Sequence, residues 1–219
     1  MNERSFISEL TMSSTKPAAD KRDVIFCATL TLLAKNGFHG FSIKQLAEEA
    51  GIAAGTIYLY FKDRDDLISK LHTQIIDDFV EATLKDHDAS LPLKQQYQRI
   101  CHNLWQFCIE NPRIMLCKAQ FDHLPPDVLR NQRDHAWVAL KPLKLLFEQG
   151  RNSKQIKKLS DDILISLSIE PFIFLVRQHL LNIIAVDNKK LTHIIDAGWD
   201  AIAYQHAATP LTHGTPNQE

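Results

Sequence analysis

At 219 residues, with 45% hydrophobic residues and only seven glycines, the chain carries enough apolar side chain for a substantial core in one large or two modest domains. A formal net charge of −1 excludes a uniformly basic nucleic-acid binder, so any basic surface has to be local. Four cysteines and no apolar leader argue against a disulfide-built secreted scaffold, and the scarcity of alternating β-branched runs points to an all-α protein.

Residues 1–19 are polar and without period, and are expected to form a mobile arm; Met12 offers a second start. Asp20 to Asn36 places Val24, Ile25, Ala28, Leu32 and Leu33 at helical spacing before Gly37. Ser42 with Gln45 three residues on has the spacing of a capping box. Ile43, Leu46, Ala47 and Ala50 then repeat helically up to Gly51. A second short helix is expected over residues 55–61, with Ile57 and Phe61 inward and Thr56, Tyr58, Leu59 and Tyr60 largely outward. Exposed hydroxyls and aromatics on a short helix suit a surface that meets phosphates and base edges.

Asp63 is expected to cap a longer helix through Leu67, Leu71, Ile75 and Phe79 towards Ala89. Beyond it prolines divide the chain. Pro92 to Asn111 reads as one helix, Pro112 begins another, and Pro125-Pro126 opens a third that reaches Gly150 with a kink at Pro142. Residues 151–159 read as loop. Ser160 is expected to cap one strongly apolar helix to about Val186, and 191–207 forms the last helix before a fraying tail, 209–219. The most apolar stretch, 163–176, is interrupted by polar residues and too short for a bilayer, so no membrane is expected.

From about Asp20 to Leu71 the chain resembles the DNA-binding domain of the TetR (tetracycline repressor) family of transcriptional regulators. The residues that carry the resemblance are Ala34-Lys35-Asn36-Gly37-Phe38, Phe41-Ser42-Ile43, Leu46-Ala47 and Ala50-Gly51-Ile52. Gly55-Thr56-Ile57-Tyr58, Tyr60-Phe61-Lys62, Arg64 and Asp66-Leu67 continue it in order. The resemblance implies an N-terminal three-helix helix-turn-helix domain over 20–66 and a helical ligand-binding and dimerisation domain over 67–208. It also implies DNA contacts from Ser42, Lys44, Gly55, Thr56, Tyr58, Leu59 and Tyr60, with Lys62 and Arg64 on the phosphates. Physically, a helix N-terminus at Ser42 offers N–H groups to a phosphate, Lys44 reaches a guanine edge, and Leu59 suits a thymine methyl if it is exposed rather than packed. Residues 20–66 hold six Lys or Arg against seven Asp or Glu, so placement of the cations decides, not their sum.

The family likeness implies a repressor bound as a homodimer to double-stranded operator DNA and released by a small molecule; with no secretory signal and no bilayer-length span in the sequence, a cytoplasmic location is expected. Apolar runs around 161–186 and 190–207 exceed one core stripe and are expected to pair with a second copy. Aromatics are concentrated beyond residue 100. Trp105, Phe121, Trp137 and Phe172 are expected to line a pocket for a hydrophobic or aromatic effector, with Arg177 available to one carboxylate. Arg177 and Glu170 face either that pocket or the partner subunit. An alternative of the same fold is a redox sensor using Cys101, Cys108 or Cys117, although buried thiols serve more often as small hydrophobes. The ten histidines show no zinc spacing, with His102 and His179 expected to matter most, and no metal or cofactor is expected. Phosphate-loop, G-x-S-x-G and H-E-x-x-H patterns are missing from the sequence, so the chain is read as a regulator and not an enzyme.

Overall fold

The computed structural model describes residues 20–204, and within them α-helices succeed one another with no strand; one isolated antiparallel bridge joins Ile156 to Ala203. The expected arm (1–19), tail (209–219) and helix end at Ala207 lie outside the described residues. The chain divides into two compact units between Asp66 and Leu67.

The first unit holds α1 (Lys21–Asn36), α2 (Ile43–Ala50), α3 (Ala54–Tyr58) and the first residues of α4 (Arg64–Thr83). Local chemistry sets each boundary. Asp20 accepts the Arg22 N–H at 3.2 Å to start α1. Ser42 Oγ accepts the Gln45 N–H at 3.2 Å while Gln45 Oε1 accepts the Ser42 N–H at 2.8 Å, a complete capping box on α2. Gly51 ends α2 in the left-handed region (φ 65°), where a side chain would be strained. Asp63 Oδ1 accepts the Asp66 N–H at 2.8 Å at the start of α4. Ile25, Phe26, Leu32, Leu33, Leu46, Ala47, Ile57 and Phe61 form the buried centre, with the Phe26 and Phe61 rings 5.4 Å apart. Helix α3 is shorter than its pattern predicts, because residues 59 and 60 form a turn that brings Phe61 inward.

The second unit contains the rest of α4, then α5 (Leu93–Glu110), α6 (Pro112–Phe121), α7 (Pro126–Ala139) and α8 (Lys141–Asn152). Helices α9 (Asp161–Ser168), α10 (Glu170–Leu180) and α11 (Asn188–Ile202) follow. Helix α4 ends at Thr83, earlier than the apolar pattern suggests. Pro112, Pro126, Pro142 and Pro171 each sit in a first turn, where a missing N–H costs nothing. The expected kink at Pro142 is a full break after Ala139. Tyr97, Ile100 and Leu104 of α5 pack with Leu146 and Phe147 of α8, Phe172 and Val176 of α10, and Ile195 and Trp199 of α11. The Tyr97 hydroxyl donates to the Ser168 carbonyl at 3.2 Å, and a Cβ on Gly198 would collide with that hydroxyl. Each such fully buried side chain contributes roughly 1.5–3 kcal/mol of transfer free energy.

The expected single helix from Ser160 to Val186 is interrupted at Ile169 and ends at Leu180. Pro171 cannot donate to the carbonyl four residues back, which explains the break. Taken together, Asp161–Leu180 is long and apolar enough to cross a membrane by length and composition, contrary to the expectation from the shorter 163–176 stretch. One side of it is buried in the unit through Leu164, Ile169, Phe172, Ile173 and Val176. Its other side leaves Ile163, Leu167, Phe174 and, just beyond, Leu181 exposed at helical spacing. Helix α11 does not share the surplus: Leu191, Ile195, Trp199 and Ile202 are buried along one stripe and its exposed positions are polar or small.

Candidate nucleic-acid interface and ligand cavity

The capping box that starts α2 and the short turn before α3 fix which side of the first unit faces solvent. Ile57 and Phe61 are buried, so the residues between and before them point outward. Tyr58 is 57% exposed, Leu59 82% and Tyr60 38%. Leu59 is therefore an exposed apolar side chain and not a packed one. Ser42, Lys44, Gly55 and Lys62 are exposed and Thr56 is half-buried. Lys44 and Lys62 make no ion pair among the described residues, and the Lys62 backbone is held by its N–H to Asp66 Oδ2 at 2.9 Å. The acidic side of α2 turns elsewhere, with Glu49 3.6 Å from Lys35 of α1. The Ser42 hydroxyl is already engaged with Gln45, so what it presents is a helix start more than a free hydroxyl.

Gly55 has no positive φ, and a Cβ there would meet nothing within 4 Å. The fold of the chain thus gives no reason for glycine inside α3.

Arg64 departs from its expected role. Its guanidinium lies over the Phe41 and Phe38 rings, at 4.7 Å and 5.2 Å from the centroids, and its side chain is only 20% exposed. Burial lowers its pKa, partly offset by Asp65. A cation held on two rings is a packing element of the domain and is poorly placed to meet a phosphate.

In the second unit the residues expected to share one pocket do not line a common cavity, although two of them, Trp105 and Phe172, are in contact. Trp105 packs on Phe172 (6.3 Å between ring centroids) and on His179 (5.1 Å), whose Nδ1 accepts the Val186 N–H at 3.3 Å. Trp137 carries Lys144 over its ring at 5.0 Å and borders an open groove with Asp162, Ile165 and Glu170. Arg177 is half-buried with its Nε unpartnered, and neither it nor Glu170 borders the cavity described next. His102 is exposed and bonds only its own helix, at the Gln98 carbonyl. The disagreement has a physical reason: aromatic type says nothing about helix face, and Phe121 and Trp137 sit on faces away from the Trp105–Phe172 pair.

Only Phe121 borders a cavity of about 80 Å³ between α4, α5 and α6. Its walls are Ile75, Ile76 and Phe79 of α4, Phe107 of α5 and Ile114, Met115 and Phe121 of α6, with His72 and the exposed Lys118 as the polar members. The His72 ring stacks on Phe121 at 4.5 Å and 10°. Burial lowers the His72 pKa; a hydrogen bond to Gln132 opposes this, Lys118 adds to it, and Asp122 opposes it. The sequence signal for this wall was present in the spacing of His72, Ile75, Ile76 and Phe79 on α4, but a core-facing stripe looks the same.

Cys101, Cys108 and Cys117 are buried, and burial pushes their thiols up to about 12, about 12 and about 11. The thiolate is the reactive form, so these positions oppose the redox alternative, which nothing else supports.

A helix-turn-helix unit followed by a larger helical unit defines a DNA-binding transcriptional regulator. Residues 25–71 match the profile described as "Bacterial regulatory proteins, tetR family", and residues 92–203 match "Tetracyclin repressor-like, C-terminal domain". An HTH-type transcriptional regulator of Haemophilus influenzae is 33% identical over 185 residues, covering 84% of this chain and 96% of that protein. The structure of a TetR family regulator from Vibrio parahaemolyticus superposes with a TM-score of 0.74 at 31% identity, over 85% of this chain and 100% of that one. FadR of Bacillus subtilis, solved with stearoyl-CoA, shares the fold at 20% identity and a TM-score of 0.65, over 80% of this chain and 98% of that one. The chain belongs to the TetR family of transcriptional regulators.

Proposed function

We propose that this regulator is a cytoplasmic repressor that sits as a homodimer on operator DNA and is released when an apolar, singly anionic small molecule opens the α4–α6 cavity. The observation that carries the reading is that α4 supplies four walls of that cavity and runs without interruption into the DNA-binding unit. A cavity of about 80 Å³ is far below the roughly 300–1,000 Å³ of small-molecule sites, so a ligand has to displace its walls. Displacing α4 changes how the attached domain is held, and a ligand with higher affinity for the displaced state shifts the population away from DNA. The lining selects the ligand: seven apolar side chains favour an alkyl or aryl body, and Lys118 at the rim suits one negative charge. FadR's stearoyl-CoA has the alkyl body such a lining favours, while its CoA group carries several negative charges.

On the DNA side the proposed contacts are Ser42, Lys44, Gly55, Thr56, Tyr58, Leu59, Tyr60 and Lys62, presented by α2, α3 and the turn after it. Arg64 is left out because it packs inside the domain. Two such surfaces in one dimer would read a near-palindromic operator. The exposed Ile163, Leu167, Phe174, Leu181 and Ile183 are the proposed dimer contact, since an apolar stripe of this length is unfavourable in water.

The test is cavity filling. Met115→Trp should keep the fold and operator binding while abolishing release by medium-chain and long-chain acyl compounds. Release that is identical in wild type and variant would remove the cavity from the account.

A further inference from the structure

We propose that Gln132, acting with His72, is the latch that holds α4 against α7 and sets how readily the cavity opens, an inference that rests on the ligand-release reading above. Gln132 is the only fully buried residue of α7. The helix's apolar residues Val128, Leu129, Ala136 and Trp137 are only half-buried, so the hydrogen bonds of the buried amide are the specific element of its positioning. All of them go to α4. Gln132 Nε2 donates to the Ser69 carbonyl at 3.0 Å and to Thr73 Oγ1 at 3.1 Å, with a longer 3.4 Å approach to Ser69 Oγ. Gln132 Oε1 lies 2.7 Å from His72 Nδ1.

A carbonyl can only accept, so the Ser69 contact fixes which end of the amide is nitrogen. That orientation in turn puts the His72 proton on Nδ1, donating to Gln132. The same imidazole is a wall of the cavity and lies flat on Phe121 of α6. One ring therefore belongs to both the ligand space and the α4–α7 contact. Further along α4 the second link to α7 is the solvent-exposed pair Asp77 and His135, at 2.6 Å. An exposed pair is weak, so of the two polar links the buried amide is the stronger.

Opening the cavity enough for a ligand moves the His72 wall and breaks a geometry in which donor and acceptors are mutually fixed. Buried polar groups stripped of partners are costly, which makes the closed arrangement resist partial opening. Weakening the latch should then admit ligand more easily and hold the DNA-binding unit less firmly.

The experiment compares Gln132→Met, which keeps volume, His72→Phe, which keeps the stack on Phe121, their double variant, and Thr73→Val, which removes one acceptor. Two quantities are measured on the full chain: affinity for 1-anilinonaphthalene-8-sulfonate, with Met115→Trp defining the signal that comes from outside the cavity, and affinity for duplex DNA from immediately upstream of the protein's own gene. The latch predicts about tenfold tighter dye binding and several-fold weaker DNA binding for each of the first two variants. The double variant should go no further than either, and Thr73→Val should move the same way by less. Lower melting temperature with unchanged dye and DNA affinities would reduce Gln132 to a structural residue and overturn the proposal, as would additive effects in the double variant. Met115→Trp binding dye as wild type does would refute the cavity reading instead. The latch would then be decided by the DNA arm alone, where wild-type affinity in Gln132→Met overturns it.

Discussion

Replacing Gly55 with alanine should move folding and DNA binding in opposite directions, which no general damage to the protein can imitate. The backbone at Gly55 has an ordinary negative φ, and the added methyl would meet no atom within 4 Å. The folded chain can therefore accept it without strain. Alanine is favoured over glycine inside a helix by roughly 0.5–1 kcal/mol, chiefly through the entropy of the unfolded chain. Because Gly55 lies in the first turn of α3, the gain should fall near the lower end, about 0.5 kcal/mol. For a unit of this size that is a rise in melting temperature of about 2–4 °C. On the proposed interface the same methyl stands where the DNA backbone approaches, and operator affinity should fall at least tenfold, about 1.4 kcal/mol or more. Thermal unfolding followed by circular dichroism and fluorescence anisotropy of a labelled operator measure the two effects. A variant that is more stable and binds DNA as wild type does would show that Gly55 is not at the interface. One that is less stable would refute the geometric argument itself.

Lys62→Ala should weaken specific and non-specific DNA binding alike and reduce the slope of log K against log salt by about one, whereas Arg64→Ala should leave that slope unchanged and lower the stability of the first unit. Equal slopes in the two variants would return Arg64 to the phosphates. Tyr58→Ala should cost about 1–3 kcal/mol of operator binding if the side chain makes a specific contact, with unchanged unfolding; anisotropy titration reads it. Phe174→Glu, at a side chain 59% exposed, should convert a dimer into a 25.0 kDa monomer by light scattering without lowering helicity. Since burial depresses the His72 pKa, the unfolded chain binds more protons there below about pH 6.5, so stability should decline as pH falls from 7.5 to 5.5. That component should be missing in His72→Phe, as urea unfolding at the two pH values would record.

The helix-turn-helix was legible because its determinants are local. Ser42, Gln45 and Gly51 fix α2 by hydrogen bonds and backbone conformation within ten residues, and Ile57 with Phe61 decides what α3 leaves outside. Arg64 was misread for the opposite reason. Its partners Phe38 and Phe41 lie more than twenty residues away, and a cation in sequence does not announce that it will be spent on two rings. The same limit governed the second unit. The prolines marked helix starts, but Trp105, Trp137 and Phe172 could not be assigned to faces without the packing, and an apolar stripe on α4 reads alike whether it meets core or cavity. Gln132 was invisible in the sequence, because a glutamine in a polar helix shows nothing until four groups of another helix converge on it.

The proposed mechanism links ligand space in the second unit to DNA affinity in the first through α4. Anisotropy of labelled DNA from upstream of the protein's own gene, titrated with stearoyl-CoA and with shorter acyl compounds, tests it most directly. The expected result is salt-dependent binding by a dimer and saturable release by at least one ligand with an apolar body and an anionic group, with release lost in Met115→Trp. Tight binding of such a ligand with no change in DNA affinity would contradict it.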